Sequence, residues 1–196
     1  MMPMVYTLYG FAIFFIIAWV VLWLIHITAL AYSKWKLHRP VDRSPPESPY
    51  PGISILKPLT GVDPNLASNL ETFFSLDYPT YELLFCVEDE HDPAVMLVNS
   101  LLEKYPKVDA RLYTGGMRVG VNPKINNMQP GYLDSKYPFL LISDAGIRMR
   151  EDTLLDMMQH MKEDVAIVHQ IWCPSDIGME SNLSLAYSQL TLLCTS

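Results

Sequence analysis

Phe139-Leu140-Leu141-Ile142-Ser143-Asp144-Ala145-Gly146 carries four apolar residues straight into a polar stop. An apolar run of this length, ended by Asp and Gly, predicts a central strand buried on both faces. In open α/β sheets, ligands gather outside the carboxyl ends of such strands. A carboxylate delivered there, with Gly146 freeing the turn behind it, can hold a metal ion or a sugar-phosphate. It can equally close the strand in an Asx turn.

Working outward, four more strands are expected: Ile53–Leu56, stopped by Pro58; Tyr81–Val87; Val108–Tyr113, whose polar alternation suggests an edge; and Val165–Val168. Helices fill the gaps. Asp63-Pro64 and Asp92-Pro93 each read as an N-cap followed by proline at the first helical position. The first opens a helix with Leu66, Leu70, Phe73 and Phe74 on one side, the second a helix with Val98, Leu101, Leu102 and Tyr105. Asn122-Pro123 repeats the signature, and Asp152 caps a helix bearing Leu154, Leu155, Met158 and Met161. The period of Leu183, Ala186, Tyr187 and Leu190 predicts a last helix over Asn182–Cys194. Strand and helix alternate, so the expected fold is α/β with a mainly parallel sheet.

The 196 residues allow one domain plus an anchor. From Met1 to Tyr32 there is no Asp, Glu, Lys or Arg, so the remainder carries the formal charge of −7. The apolar run Val5–Tyr32 exceeds the ~20 residues that cross a bilayer core. Apolar residues circle the whole helix, which excludes a half-buried soluble helix. Lys34, Lys36, His38, Arg39 and Arg43 follow, and such a basic flank stays cytosolic. Ala29-Leu30-Ala31 resembles a signal-peptidase site, but the absence of a basic n-region favours an uncleaved anchor. Glycan at Asn182-Leu183-Ser184, the sole sequon, would reverse that topology. Five prolines between Pro40 and Pro51 make Arg39–Gly52 a stiff spacer. An acidic domain without a basic stripe argues against nucleic acid. Three scattered cysteines form neither a disulfide framework nor a zinc site.

Two further groups carry chemistry. Glu88-Asp89-Glu90-His91-Asp92 places four acids at a strand end, where mutual repulsion invites a cation or a hydrogen-bonding ligand. Asp92 has a capping role to explain it; Asp89 has none. Gly115 to Val121 reads as a flexible loop, neither a Walker loop nor a dinucleotide fingerprint. Behind it Lys124 sits at a helix N-terminus, where backbone amides already favour anions. It reads as a pyrophosphate ligand or as a solvated lysine. Asn126 and Asn127 add hydrogen-bonding groups suited to a sugar or base.

Leu56-Lys57-Pro58-Leu59, Gly61 to Leu66, Asn69 to Phe74 and Leu76-Asp77-Tyr78-Pro79 resemble the ceramide glucosyltransferases, nucleotide-sugar transferases of GT-A fold. Asn122 to Asn127, Pro130-Gly131-Tyr132 and Asp144 to Arg148 resemble them too, as does the anchor with its basic flank. The likeness extends to about His169. It implies transfer of glucose from UDP-glucose to ceramide, giving glucosylceramide for glycosphingolipids, at the cytosolic face of a Golgi or ER membrane. Carried over, Asp92 helps hold the uridine half, with Asp89 beside it. Asp144 ligates Mg²⁺ or Mn²⁺ on the diphosphate, and Lys124 with Asn127 completes the nucleotide-sugar site.

Where the family usually has Asp-Ser-Gly, this chain has Asp-Ala-Gly. The family's general-base aspartate, its Gln/Arg-x-x-Arg-Trp motif and its C-terminal membrane segments have no counterpart, so no catalytic residue is assigned. The expected organisation is a transmembrane anchor over 1–33, a basic then Pro-rich linker over 34–52, a partial nucleotide-sugar-binding domain over 53–169 and a divergent tail over 170–196. On this reading the chain is a truncated transferase, weakly active or inactive alone. The alternatives are a non-catalytic membrane-anchored module that binds UDP-sugar or pairs with the full-length enzyme, and a transferase of the same fold using another sugar or lipid. The bilayer is a partner in each case; homo-oligomerisation is left open.

Overall fold

The computed structural model describes residues 2–36, 49–162, 164–171 and 189–194. The chain divides into two compact units, Met1–Asp42 and Arg43–Ser196.

The first unit is built on helix α1 (Met2–Lys36), about 50 Å long at 1.5 Å per residue. Its segment Val5–Lys36 is long and apolar enough to cross a membrane, with mean hydropathy 2.6. Large apolar side chains stand exposed all round it, including Phe14, Ile17, Trp19, Leu22 and Leu30. Two of its polar side chains turn back on the helix: Thr28 Oγ1 donates to Leu24 O and His26 Nδ1 lies 2.7 Å from Leu22 O. The helix runs three residues past the expected end of the anchor at 33. Most of the expected linker lies outside the described residues.

The second unit contains a six-stranded sheet of order β3-β2-β1-β4-β6-β5. The strands are β1 (Ile53–Leu59), β2 (Tyr81–Val87), β3 (Ala110–Thr114), β4 (Phe139–Ser143), β5 (Ile167–Ile171) and β6 (Gln189–Cys194). β1 pairs in parallel with β2 and β4, and β2 with β3. β6 runs antiparallel between β4 and β5. The strand opening the sequence argument is thus central, with Leu140 and Leu141 buried, and β3 is an edge as its polar alternation predicts. Chain order reverses between β1 and β4, which puts the topological switch point there.

Helices α2 (Leu66–Glu71), α3 (Pro93–Lys104), α4 (Pro123–Leu133) and α5 (Thr153–His160) connect the strands, with a 3₁₀ turn over Thr72–Ser75 continuing α2. Leu66, Leu70, Phe73 and Phe74 are all buried, as their period requires. α4 lies close on the sheet because Gly131 has no side chain. A Cβ there would meet Cys86 Sγ at 2.8 Å and Leu56 Cδ2 at 3.1 Å.

Several boundaries differ from expectation. β1 is not stopped by Pro58 but continues to Leu59, with Pro58 in register with Cys86. Pairing with β4 has ended at Leu56, and a strand with a free edge tolerates proline. Asp63 is not the N-cap of α2, which begins at Leu66 with Asn65 as cap; Asp63 accepts from Asn65 N and closes the preceding turn. Asp152 stands at the start of α5, yet its carboxylate pairs with Arg150 instead of capping. β3 and β5 begin two residues later than expected, at Ala110 and Ile167.

The largest correction concerns the last expected helix. Residues 189–194 form strand β6, because insertion between β4 and β5 satisfies two backbone ladders and buries Leu192. Local helical period loses to sheet closure. The rest of that segment, with the Asn182 sequon, lies outside the described residues.

Candidate nucleotide-sugar site

The carboxyl ends of β1, β2 and β4 deliver the expected site residues to one edge of the sheet. Lys124 Nζ pairs with Asp144 Oδ1. This contact joins the start of α4 to the end of β4 across the switch point. Asn122 caps α4 by accepting from Lys124 N at 3.0 Å, and Pro123 occupies the first turn, so the local signature places the lysine. Both partners keep solvent access, with side chains 44 % and 27 % exposed.

Asp92 is engaged differently. Its Oδ1 accepts from Ala94 N at 2.8 Å, capping α3, and its Oδ2 accepts from Gly61 N at 2.8 Å. One carboxylate therefore fastens the loop after β1 to the helix after β2. Asp89 is exposed and accepts from His91 N at 2.9 Å in an Asx turn. The acids at this strand end do not gather. Among the described residues no three His, Cys, Asp or Glu side chains form a group that could hold a metal ion.

The loop after β3, expected to be flexible, is stitched to α4. Pro130 lies inside α4 and has no N–H, which leaves the carbonyl four residues earlier unclaimed. That carbonyl, Asn126 O, accepts from Met117 N at 2.8 Å. Asn126 Oδ1 accepts from Val119 N and Gly120 N, and its Nδ2 donates to Gly120 O. Gly115 and Gly116 turn the chain with positive φ, as only glycine does readily. The result is an open depression of about 560 Å³ lined by Arg118, Val119, Gly120, Val121 and Asn126.

Asn126, read as a group for sugar or base, thus spends its amide on the loop. Asn127 turns inward: its Nδ2 donates to Cys86 O at 3.1 Å and Leu59 O at 3.4 Å, tying the ends of β1 and β2. Its buried Oδ1 has no hydrogen-bond partner among the described residues.

The structure adds Lys57, which the sequence reading quoted in a motif without giving it a role. It lies in β1 with 1 % exposure. Its Nζ donates to Asp144 O at 2.6 Å and Ser143 Oγ at 3.1 Å, and stands 3.9 Å from the centre of the Phe73 ring. Burial pushes the amine well below the usual lysine range, while the negative charge of Asp144 opposes the fall. The available signal was a lysine inside a strand that is apolar but for Ser54. Asn69 and Thr72 were missed as well: Asn69 Nδ2 donates to Gly146 O, and Thr72 Oγ1 accepts from Met149 N, so both pin the turn beyond Asp144. Cys86 is no nucleophile, since burial lifts its thiol to about 12.

The profile of glycosyl transferase family 21 matches residues 21–184, most of the chain. The chain belongs to glycosyl transferase family 21. The family 21 match continues beyond His169, where the resemblance was expected to fade. Ceramide glucosyltransferase 3 of Caenorhabditis elegans is 48 % identical over 85 % of this chain and 36 % of its own length. Ceramide glucosyltransferase 1 of the same organism is 44 % identical over 82 % and 34 %. The chain thus spans about a third of the curated relatives it matches. Among solved structures, a mannosyltransferase of Pyrobaculum calidifontis, in complex with GDP-Man and Mn²⁺, superposes with TM-score 0.54 at 19 % identity. It covers 76 % of this chain and 44 % of that one, and the shared fold is GT-A.

Proposed function

We propose that this chain is the membrane-tethered, nucleotide-sugar-binding part of a ceramide glucosyltransferase, which takes UDP-glucose as donor and ceramide as acceptor. The observation that carries the reading is the Lys124–Asp144 pair at the switch point. Family membership and the names of the relatives supply the donor and acceptor classes.

The donor set fits a divalent cation brought in with a diphosphate. Magnesium and similar ions take one or two protein carboxylates and fill their shell with phosphate oxygens and water. Asp144 offers one accessible carboxylate, and the Lys124 ammonium already sits on it as a stand-in for a cation. When bound, Mg²⁺ or Mn²⁺ supplies Lewis-acid stabilisation of the departing diphosphate. The chain's own residues do the rest. Lys124, exposed and on a helix N-terminus, swings from Asp144 to a phosphate and neutralises charge as UDP leaves. Asp92 and Asp89 border the uridine side, where Asp92 retains lone pairs beyond its two backbone bonds. Asn127 holds the floor between the ends of β1 and β2.

A lipid acceptor accounts for the tether. The basic flank of α1 favours a cytosolic domain, and the likeness to the ceramide glucosyltransferases favours an internal membrane such as the Golgi or ER. Calorimetry on the 196-residue chain in detergent tests the binding half: UDP should bind more tightly with Mn²⁺ than with EDTA. Equal affinities would refute it. Expression in cells lacking glucosylceramide synthesis tests transfer. Because the chain spans about a third of its relatives, a second reading is a module that binds UDP-sugar without turnover. It predicts metal-dependent UDP binding and no glucosylceramide.

A further inference from the structure

A buried amine at Lys57 is not explained by packing. A Leu or Met in β1 would fill the same space without the cost of desolvating a polar group. The compensation it receives is specific: two acceptors, Asp144 O and Ser143 Oγ, and the face of Phe73.

These contacts lie where the pairing of β1 with β4 stops. The β1–β4 register ends at Leu56 with Ile142, so no residue of β1 is paired across from Ser143 or Asp144. Lys57 is the next residue of β1, and its side chain reaches Ser143, the last residue of β4, and Asp144 just beyond it. Beyond them, Ile147 N also donates to Asp144 O at 3.2 Å, and Asn69 holds Gly146 O. The peptide of Asp144 is therefore gripped from β1 and from the following turn.

We infer that Lys57 is a positioning residue: its side chain extends the β1–β4 connection past the last backbone pair and orients Asp144 for the nucleotide-sugar site. The inference rests on the reading of Asp144 as a metal ligand. Lys57 is too deeply buried to touch the ligand itself, so it acts through the Asp144 peptide.

The test is the ratio of UDP affinities with Mn²⁺ and with EDTA, measured on the full chain in detergent. Groups that orient a metal ligand typically carry about 10–100-fold in metal affinity. Lys57→Met should lower the ratio about tenfold while leaving the EDTA affinity within about twofold of wild type. Its Tm should fall modestly, because Asp144 O and Ser143 Oγ each lose a donor. An unchanged ratio overturns the inference. So does an equal fall in both affinities, which marks general damage to the fold. Ser143→Ala removes one acceptor at little volume cost and should lower the ratio about threefold. If Lys57→Met does not fold, an unchanged ratio in Ser143→Ala overturns the proposal. Asp144→Ala in the same assay separates the two levels: a wild-type ratio there sinks the metal-site reading itself.

Discussion

Asp92 lies five residues beyond β2 and Asp144 directly after β4, the two strands that flank β1. The two strands themselves run roughly 10 Å apart at the usual interstrand spacing. In sequence each is an aspartate in the segment that follows an apolar strand. In the structure they differ in what they hold. Asp92 spends both oxygens on backbone amides of two separate elements, α3 and the loop after β1. Asp144 offers its carboxylate to an exposed lysine, while its backbone oxygen is held by a buried one. The first side chain is a fastener. The second is held in place from behind and left accessible in front.

Substitution should separate the two roles. Asp92→Ala removes a cap, typically worth ~1 kcal/mol, and a charged hydrogen bond to Gly61 N of ~1.5–3 kcal/mol. We expect a loss of about 3 kcal/mol in chemical denaturation, with the Mn²⁺-to-EDTA ratio of UDP affinities retained in the folded fraction. A stability change under about 0.5 kcal/mol would break the contrast. Asp144→Ala should do the opposite. A direct ligand should exceed the effect of its supports, so the ratio should fall about a hundredfold, or about 2.8 kcal/mol. Its Tm should barely move, because exposed pairs such as Lys124–Asp144 are worth ~0–1 kcal/mol.

Much of this was legible. Pattern alone located β2 at its observed bounds, the central place of β4, the edge place of β3, and the caps at Asp92 and Asn122. Asp144 and Lys124 were both picked out, and the structure brings them together. What stayed hidden depends on distant partners. Gln189–Leu192 alternates polar and apolar residues, but the helical period running into it from Leu183 masked that signal, and the strand forms on its two ladders with β4 and β5. Lys57 reads as an oddity until Ser143 and Asp144 are seen beside it. The value of Gly131 likewise appears only with Cys86 and Leu56 in place. Gly131→Ala should cost about 2 kcal/mol by overpacking and lift α4 from the sheet. Because α4 carries Lys124, it should also loosen UDP binding; wild-type stability would show that the helix has slack.

Lys124→Met supplies the finest cut between fastener and ligand. The lysine donates its charge to Asp144 from an exposed position, so removing it should leave stability within about 0.5 kcal/mol of wild type. If its role is to follow the diphosphate, UDP affinity should fall about tenfold with EDTA present, since hydrogen bonds to charged groups are worth ~1.5–3 kcal/mol. The metal-dependent ratio should hold or rise, because Asp144 loses a competing cation. A fall in the ratio would mean that lysine and carboxylate act as one unit, with Lys124 helping to hold Asp144 in place. The division of labour would then shift: Asp144 would need support from in front as well as from Lys57 behind.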